Sequence, residues 1–154
     1  MFDSTDHVEG FTTSRSLGFL LRRSFKLMNQ QAEQVFAGRD VTLSQWIVLR
    51  MINDGLAATP GEAARLLGHN TGATSRLVDQ LEGQGLVERR REGGDRRVVS
   101  LVLTPAGKTQ VRAWETDMQR FFDEMLAGFA PDEVTMLIDL LGRLVEGLEA
   151  RDSS

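Results

Sequence analysis

The chain has 154 residues, 41% of them apolar and 26% charged, with a formal net charge of −4. That length suits one domain, or one intertwined dimerising unit, with a sizeable core. Cysteine is absent and histidine occurs twice, which excludes a disulfide framework, a thiol switch and a thiolate zinc site and leaves a His-only metal site short of ligands.

No stretch approaches the ~20 consecutive apolar residues that span a bilayer. The first ten residues, MFDSTDHVEG, are polar and acidic, unlike a secretory leader, so a cytoplasmic location and no membrane partner are expected. Residues 12–37 predict one long helix, with Leu17, Leu20, Leu21, Met28, Ala32, Val35 and Phe36 on a stripe at spacings of three and four. Residues 42–52 predict a second helix, capped by Thr42, with Leu43, Trp46, Ile47 and Met51 on its inner face. Thr59-Pro60-Gly61-Glu62 is a sharp helix start: a threonine cap, proline in the first turn, and a glutamate placed to complete a capping box. That helix spans about two turns before Gly68.

Asn70 or Thr71 caps the next helix. Its inward stripe is expected from Ala73, Leu77 and Leu81, with Thr74, Ser75, Arg76, Asp79 and Gln80 pointing elsewhere. Gly83 and Gly85 end it. Residues 86–91 and 98–103 read as two strands, joined by an arginine-rich tip in which Gly93 and Gly94 supply turn freedom. Thr104-Pro105 launches a helix that runs to about Phe129, and Pro131 opens a last helix with Leu137, Leu140, Leu141, Leu144 and Leu148 as its stripe.

Two short helices, a hairpin with a basic tip and a following helix form a helix-turn-helix with a wing, a layout for gripping duplex DNA. The expected fold class is mainly α with a small β-hairpin wing: a winged helix-turn-helix lobe over residues 41–108, between an N-terminal helix (1–40) and C-terminal helices (109–154). The long apolar faces at both ends exceed what the small lobe can cover, which points to a homodimer built from them. Charge is unevenly spread. Residues 59–108 hold eight Lys/Arg against six Asp/Glu, while residues 109–154 hold four against ten. A basic tip on an acidic body can dock phosphates while the body limits non-specific binding.

Several segments together resemble the MarR family of bacterial transcriptional regulators, across nearly the whole chain. They are Leu43-Ser44-Gln45-Trp46-Ile47-Val48-Leu49, Thr74-Ser75-Arg76-Leu77-Val78-Asp79-Gln80-Leu81-Glu82, Gly85-Leu86-Val87-Glu88-Arg89, Asp95-Arg96-Arg97 and Leu103-Thr104-Pro105-Ala106-Gly107. The resemblance implies a homodimer whose recognition helix, residues 71–84, enters the major groove while each wing reaches the adjacent minor groove. It implies a repressor released from DNA by a small aromatic or phenolic ligand. Two-fold symmetry then predicts an inverted-repeat operator with half-site centres about 10 base pairs apart.

The candidate DNA-binding residues are Asn70, Thr71, Thr74, Ser75 and Arg76 at the start of the recognition helix, with Arg89, Arg96 and Arg97 on the wing. Arg76 suits a guanine edge or a phosphate, with a surface ion pair to Glu62 or Asp79 as the alternative. Asn70 suits a phosphate or a plain helix cap. Asp95 is expected to orient Arg97, and Arg96 and Arg97 suit a narrow minor groove. Arg89, Arg90 and Arg91 cannot all face DNA, because a strand alternates sides; Glu88 and Glu92 are expected to neutralise part of the run. Trp46 reads first as a core anchor, and with Phe25 it is a candidate ligand wall, but no polar ligand anchor stands out. No cofactor is implied. A ligand- or protein-binding adaptor that keeps the fold without DNA is the alternative. An enzyme finds no motif to support it.

Overall fold

The computed structural model describes residues 13–68, 70–91 and 99–152. A short 3-10 turn (Thr13–Arg15) precedes α1 (Leu17–Val35), followed by α2 (Leu43–Asn53), α3 (Pro60–Leu67), α4 (Thr71–Gly83), β1 (Val87–Arg91), β2 (Val99–Leu103), α5 (Pro105–Met125) and α6 (Pro131–Asp152). The chain divides into two compact units, residues 1–115 and 116–154.

In the first unit, helix starts follow local chemistry. Ser16 caps α1 by accepting from the Phe19 amide at 3.3 Å. Thr42 and Gln45 form a reciprocal capping box at 2.9 and 3.2 Å, and Thr59 and Glu62 form another at 3.0 and 3.2 Å. Glu62 also accepts from the Ala58 amide at 2.7 Å, and that bond is the main cause holding its carboxyl below the usual glutamate range. Gly68 ends α3 in the left-handed conformation, φ 63°, where glycine alone escapes the Cβ penalty.

The core joins Val41, Val48 and Leu49 to Val78 and Leu81 of α4, to Leu86, Val87, Leu101 and Leu103 of the hairpin, and to Val111 of α5. The strands pair antiparallel, from Val87 with Leu103 to Arg91 with Val99. The Leu101 amide also donates to the Ala58 carbonyl at 2.7 Å, tying the hairpin to the start of α3. At the wing's exit, Thr104 donates its amide to the Leu86 carbonyl at 3.1 Å and its hydroxyl to the Gly85 carbonyl at 2.7 Å, then accepts from the Gly107 amide at 3.0 Å. Gly107 is buried, and a Cβ there would lie 2.1 Å from the Leu86 carbonyl oxygen.

Three sequence expectations shift. The inner face of α2 is Leu43, Gln45, Val48 and Leu49, rather than Leu43, Trp46, Ile47 and Met51. Gln45 is buried because its side chain is consumed by the Thr42 cap and by Gln80, whose carbonyl accepts from it at 3.3 Å. The buried face of α4 is Thr74, Val78 and Leu81, one residue round from Ala73, Leu77 and Leu81. The third concerns α5, which stops at Met125 rather than near Phe129. There the chain tightens into a turn, with the Phe129 amide bonded to the Leu126 carbonyl at 2.9 Å. Gly128 is a poor helix former, and Pro131 disfavours helical geometry at the residue before it.

Large apolar side chains stand exposed on both terminal elements: Leu17, Leu20, Leu21 and Phe25 on α1, and Met136, Leu137, Ile138, Leu140, Val145 and Leu148 on α6. Among the described residues, no helix is long and apolar enough to cross a membrane.

Candidate nucleic-acid interface

The α3–α4 pair and the β1–β2 hairpin set the expected site. Asn70 serves as the N-cap of α4, accepting from the Ala73 amide at 2.8 Å, which is the capping reading; its amide nitrogen is not used by that bond. Thr71 and Arg76 are exposed and Ser75 is half-buried. These three share the outward side of the helix's first turns, the end that enters a groove in such motifs. The Arg76 Nε donates to the Gly72 carbonyl at 3.3 Å. The two carboxylates proposed as its ion-pair partners are engaged elsewhere: Glu62 closes the Thr59 box and Asp79 bonds Arg89.

Thr74 departs from expectation. It is wholly buried, and its hydroxyl has no hydrogen-bond partner, so it cannot reach DNA from this position. The cause is the one-residue shift of the buried face: threonine, with valine's shape, fills a core site. A buried, unpaired hydroxyl carries a desolvation cost that an isosteric methyl does not. Thr74→Val is therefore expected to raise stability by about 1 kcal/mol and leave DNA affinity unchanged; thermal melts paired with a binding titration check both halves, and weakened DNA binding would return Thr74 to the interface.

Arg89 is the second correction. Instead of projecting toward a phosphate, its guanidinium turns back onto α4, bonding Asp79 Oδ1 at 2.5 Å and the Glu82 carboxylate. The Asp79 bond is the main cause raising its pKa above the ordinary arginine value, opposed by partial burial. Sequence reasoning missed Asp79 and Glu82 as the partners of Arg89; the available signal was their three-residue spacing, which puts both on one side of a helix. On the same strand, Arg90 pairs with Glu88 at 3.3 Å, the local neutralisation expected there, and Arg91 is exposed. Asp95, Arg96 and Arg97 lie outside the described residues, as does Glu92.

Two amides pin α4 to the preceding chain: Gln80 through Gln45, and Gln84, whose Nε2 donates to the Asp40 carbonyl at 3.1 Å. Next to this junction, Phe36 stacks on Trp114 with ring centroids 4.8 Å apart and lies 5.9 Å from Trp46. The Arg39 guanidinium sits 4.1 Å from the Trp114 ring centre, a cation–π contact. Trp46 is thus mainly a packing residue, as first read, while Phe25 is exposed on α1. No cluster of three or more metal-binding side chains occurs among the described residues.

Comparison with known proteins agrees with this geometry. A family model described as MarR family matches residues 39–98. The HTH-type transcriptional repressor YetL of Bacillus subtilis (strain 168) is 27% identical over 150 residues, covering 94% of this chain and 90% of that protein. The uncharacterized HTH-type transcriptional regulator YdgJ of the same organism is 36% identical over 75 residues; there the match spans only about half of each protein, 49% of this chain and 46% of YdgJ. Among solved structures, a MarR family transcriptional regulator from Silicibacter pomeroyi superposes with a TM-score of 0.78 at 27% identity, covering 88% of each chain. A mutant MarR from E. coli complexed with operator DNA superposes with a TM-score of 0.71 at 28% identity, covering 83% of this chain and 92% of that one. These relatives are transcriptional regulators, not enzymes. With its paired helices and two-stranded wing, the chain has the winged helix-turn-helix fold of the MarR family transcriptional regulators, whose family model it matches over residues 39–98.

Proposed function

We propose that the protein is a homodimeric, sequence-specific DNA-binding regulator of the cytoplasm, acting as a repressor that leaves its operator when a small aromatic or phenolic molecule binds. The observation that carries the reading is the outward face of α4. There Thr71 and Arg76 stand exposed, with Ser75 half-buried beside them, on a helix fixed by the Asn70 cap and by the Gln45 and Gln84 bonds. Likeness to YetL, a repressor, and to an operator-bound MarR supports it. The exposed apolar faces of α1 and α6 supply material for a dimer. In this reading α4 reads the major groove of each half-site, while Arg96 and Arg97, steered by Asp95, reach the minor groove.

The test is fluorescence anisotropy on promoter DNA upstream of the protein's own gene, with scrambled competitor and a salt series. Tight binding that survives competitor and falls steeply with salt is expected. Arg76→Ala and Arg97→Ala are each expected to weaken it by roughly 10- to 100-fold, a cost of ~1–3 kcal/mol, without changing the oligomeric state. Full affinity in both variants would remove α4 and the wing from the mechanism.

A further inference from the structure

On α4, Asp79 follows Ser75 by four residues and Arg76 by three, and Glu82 follows Asp79 by three. These four side chains therefore run along one stripe of the helix. The stripe proposed to face DNA thus ends in two exposed carboxylates. Fixed negative charges on a phosphate-facing surface oppose the electrostatic part of binding, which comes from cations replacing condensed counterions. Arg89 lies across both carboxylates, its Nη2 on Asp79 and its Nη1 on Glu82.

The wing root has other means of holding its place. The Leu86 amide donates to the Leu81 carbonyl at 2.9 Å, Val87 is buried opposite Leu103, and Arg89 itself pairs with Leu101 in the ladder. An arginine is thus not required here as a tether, and its guanidinium, drawn onto α4 by two carboxylates, has its positive charge already matched by nearby negative charge.

We infer that Arg89 serves DNA binding as a charge shield over Asp79 and Glu82, and not as a ligand for phosphate. This inference rests on the proposed DNA-binding reading and names how one residue of that site works. Without Arg89 the stripe carries both carboxylates bare; without all three charges only the positive charge of Arg76 remains on it.

The shield is tested on the full-length protein with a mixed-sequence duplex of about 30 base pairs at low salt, where binding is dominated by charge and no operator need be known. Four proteins are compared: wild type, Arg89→Met, Asp79→Asn/Glu82→Gln, and the triple variant. Circular dichroism melts and oligomeric state confirm that each is folded. Arg89→Met is expected to bind about 10-fold more weakly than wild type. The triple variant is expected to return to wild-type affinity or better, and Asp79→Asn/Glu82→Gln to bind tightest. A folded triple variant that binds as weakly as Arg89→Met would overturn the shield and make Arg89 a direct contact. That arm stands on its own, because the triple variant leaves no unpaired charge to disturb folding. A wild-type protein that fails to bind duplex at low salt would overturn the DNA reading itself, an outcome distinct from failed rescue.

Discussion

Gly107→Ala is expected to destabilise the protein by about 3 kcal/mol or more, against the direction that helix propensity predicts. Gly107 lies in the first turns of α5, where alanine is ordinarily worth roughly 1 kcal/mol more than glycine. Here the added methyl would stand 2.1 Å from the Leu86 carbonyl oxygen, which is backbone and also accepts the Thr104 amide. The helix cannot back away without breaking the Thr104 bonds to Leu86 and Gly85, which anchor it to the wing. A fall in melting temperature of roughly 10 °C is expected for a chain of this size. A melt at or above wild type would show that α5 does not approach the wing so closely. Because the clash sits where the recognition helix turns into β1, partially destabilised protein should lose DNA binding along with stability.

The second large effect concerns assembly. Leu137 and Leu148 on α6 are 41% and 54% exposed in the single chain. They are eleven residues apart, about three turns, so they share a face. In the proposed dimer, glutamate at both positions places unpaired charges in an apolar interface, a cost that dimerisation cannot recover. Leu137→Glu/Leu148→Glu is expected to sediment as a folded monomer. It is also expected to lose operator affinity by more than ~100-fold, because two linked half-site contacts become two independent ones. A variant that stays dimeric would place the interface on another face, and a monomer with undiminished affinity would refute the two-fold mode of binding.

Where the sequence could be read directly, the controlling chemistry was local. The Thr59–Glu62 capping box, the glycine exit at Gly68 and the Thr104-Pro105 start depend on residues within one turn, and each appears as expected. The hairpin was legible because strand alternation and the Gly85 break bracket it. The α4 face slipped by one residue because threonine looks polar in a sequence but packs like valine; only the tertiary core decides that Thr74 is inside. Gln45 misleads in the same way, since a buried amide is tolerable once both its ends are bonded. The turn of Arg89 onto Asp79 and Glu82, and the fit of Gly107 on Leu86, join separate elements; helical spacing places the two carboxylates side by side, but no periodicity announces what crosses to them or what Gly107 meets.

The aromatic cluster around Phe36 has a spectroscopic consequence. The protein has two tryptophans and no tyrosine, and both indoles adjoin that one ring, where α1 gives way to α2. Emission excited near 295 nm or 280 nm therefore comes from the same neighbourhood, with almost no background from elsewhere in the chain. Trp114 glows under a stacked phenyl and a guanidinium, surroundings that would change if the end of α1 were displaced. The unlabelled protein thus carries its own optical gauge of that junction, usable in stopped-flow mixing with DNA or with candidate effectors.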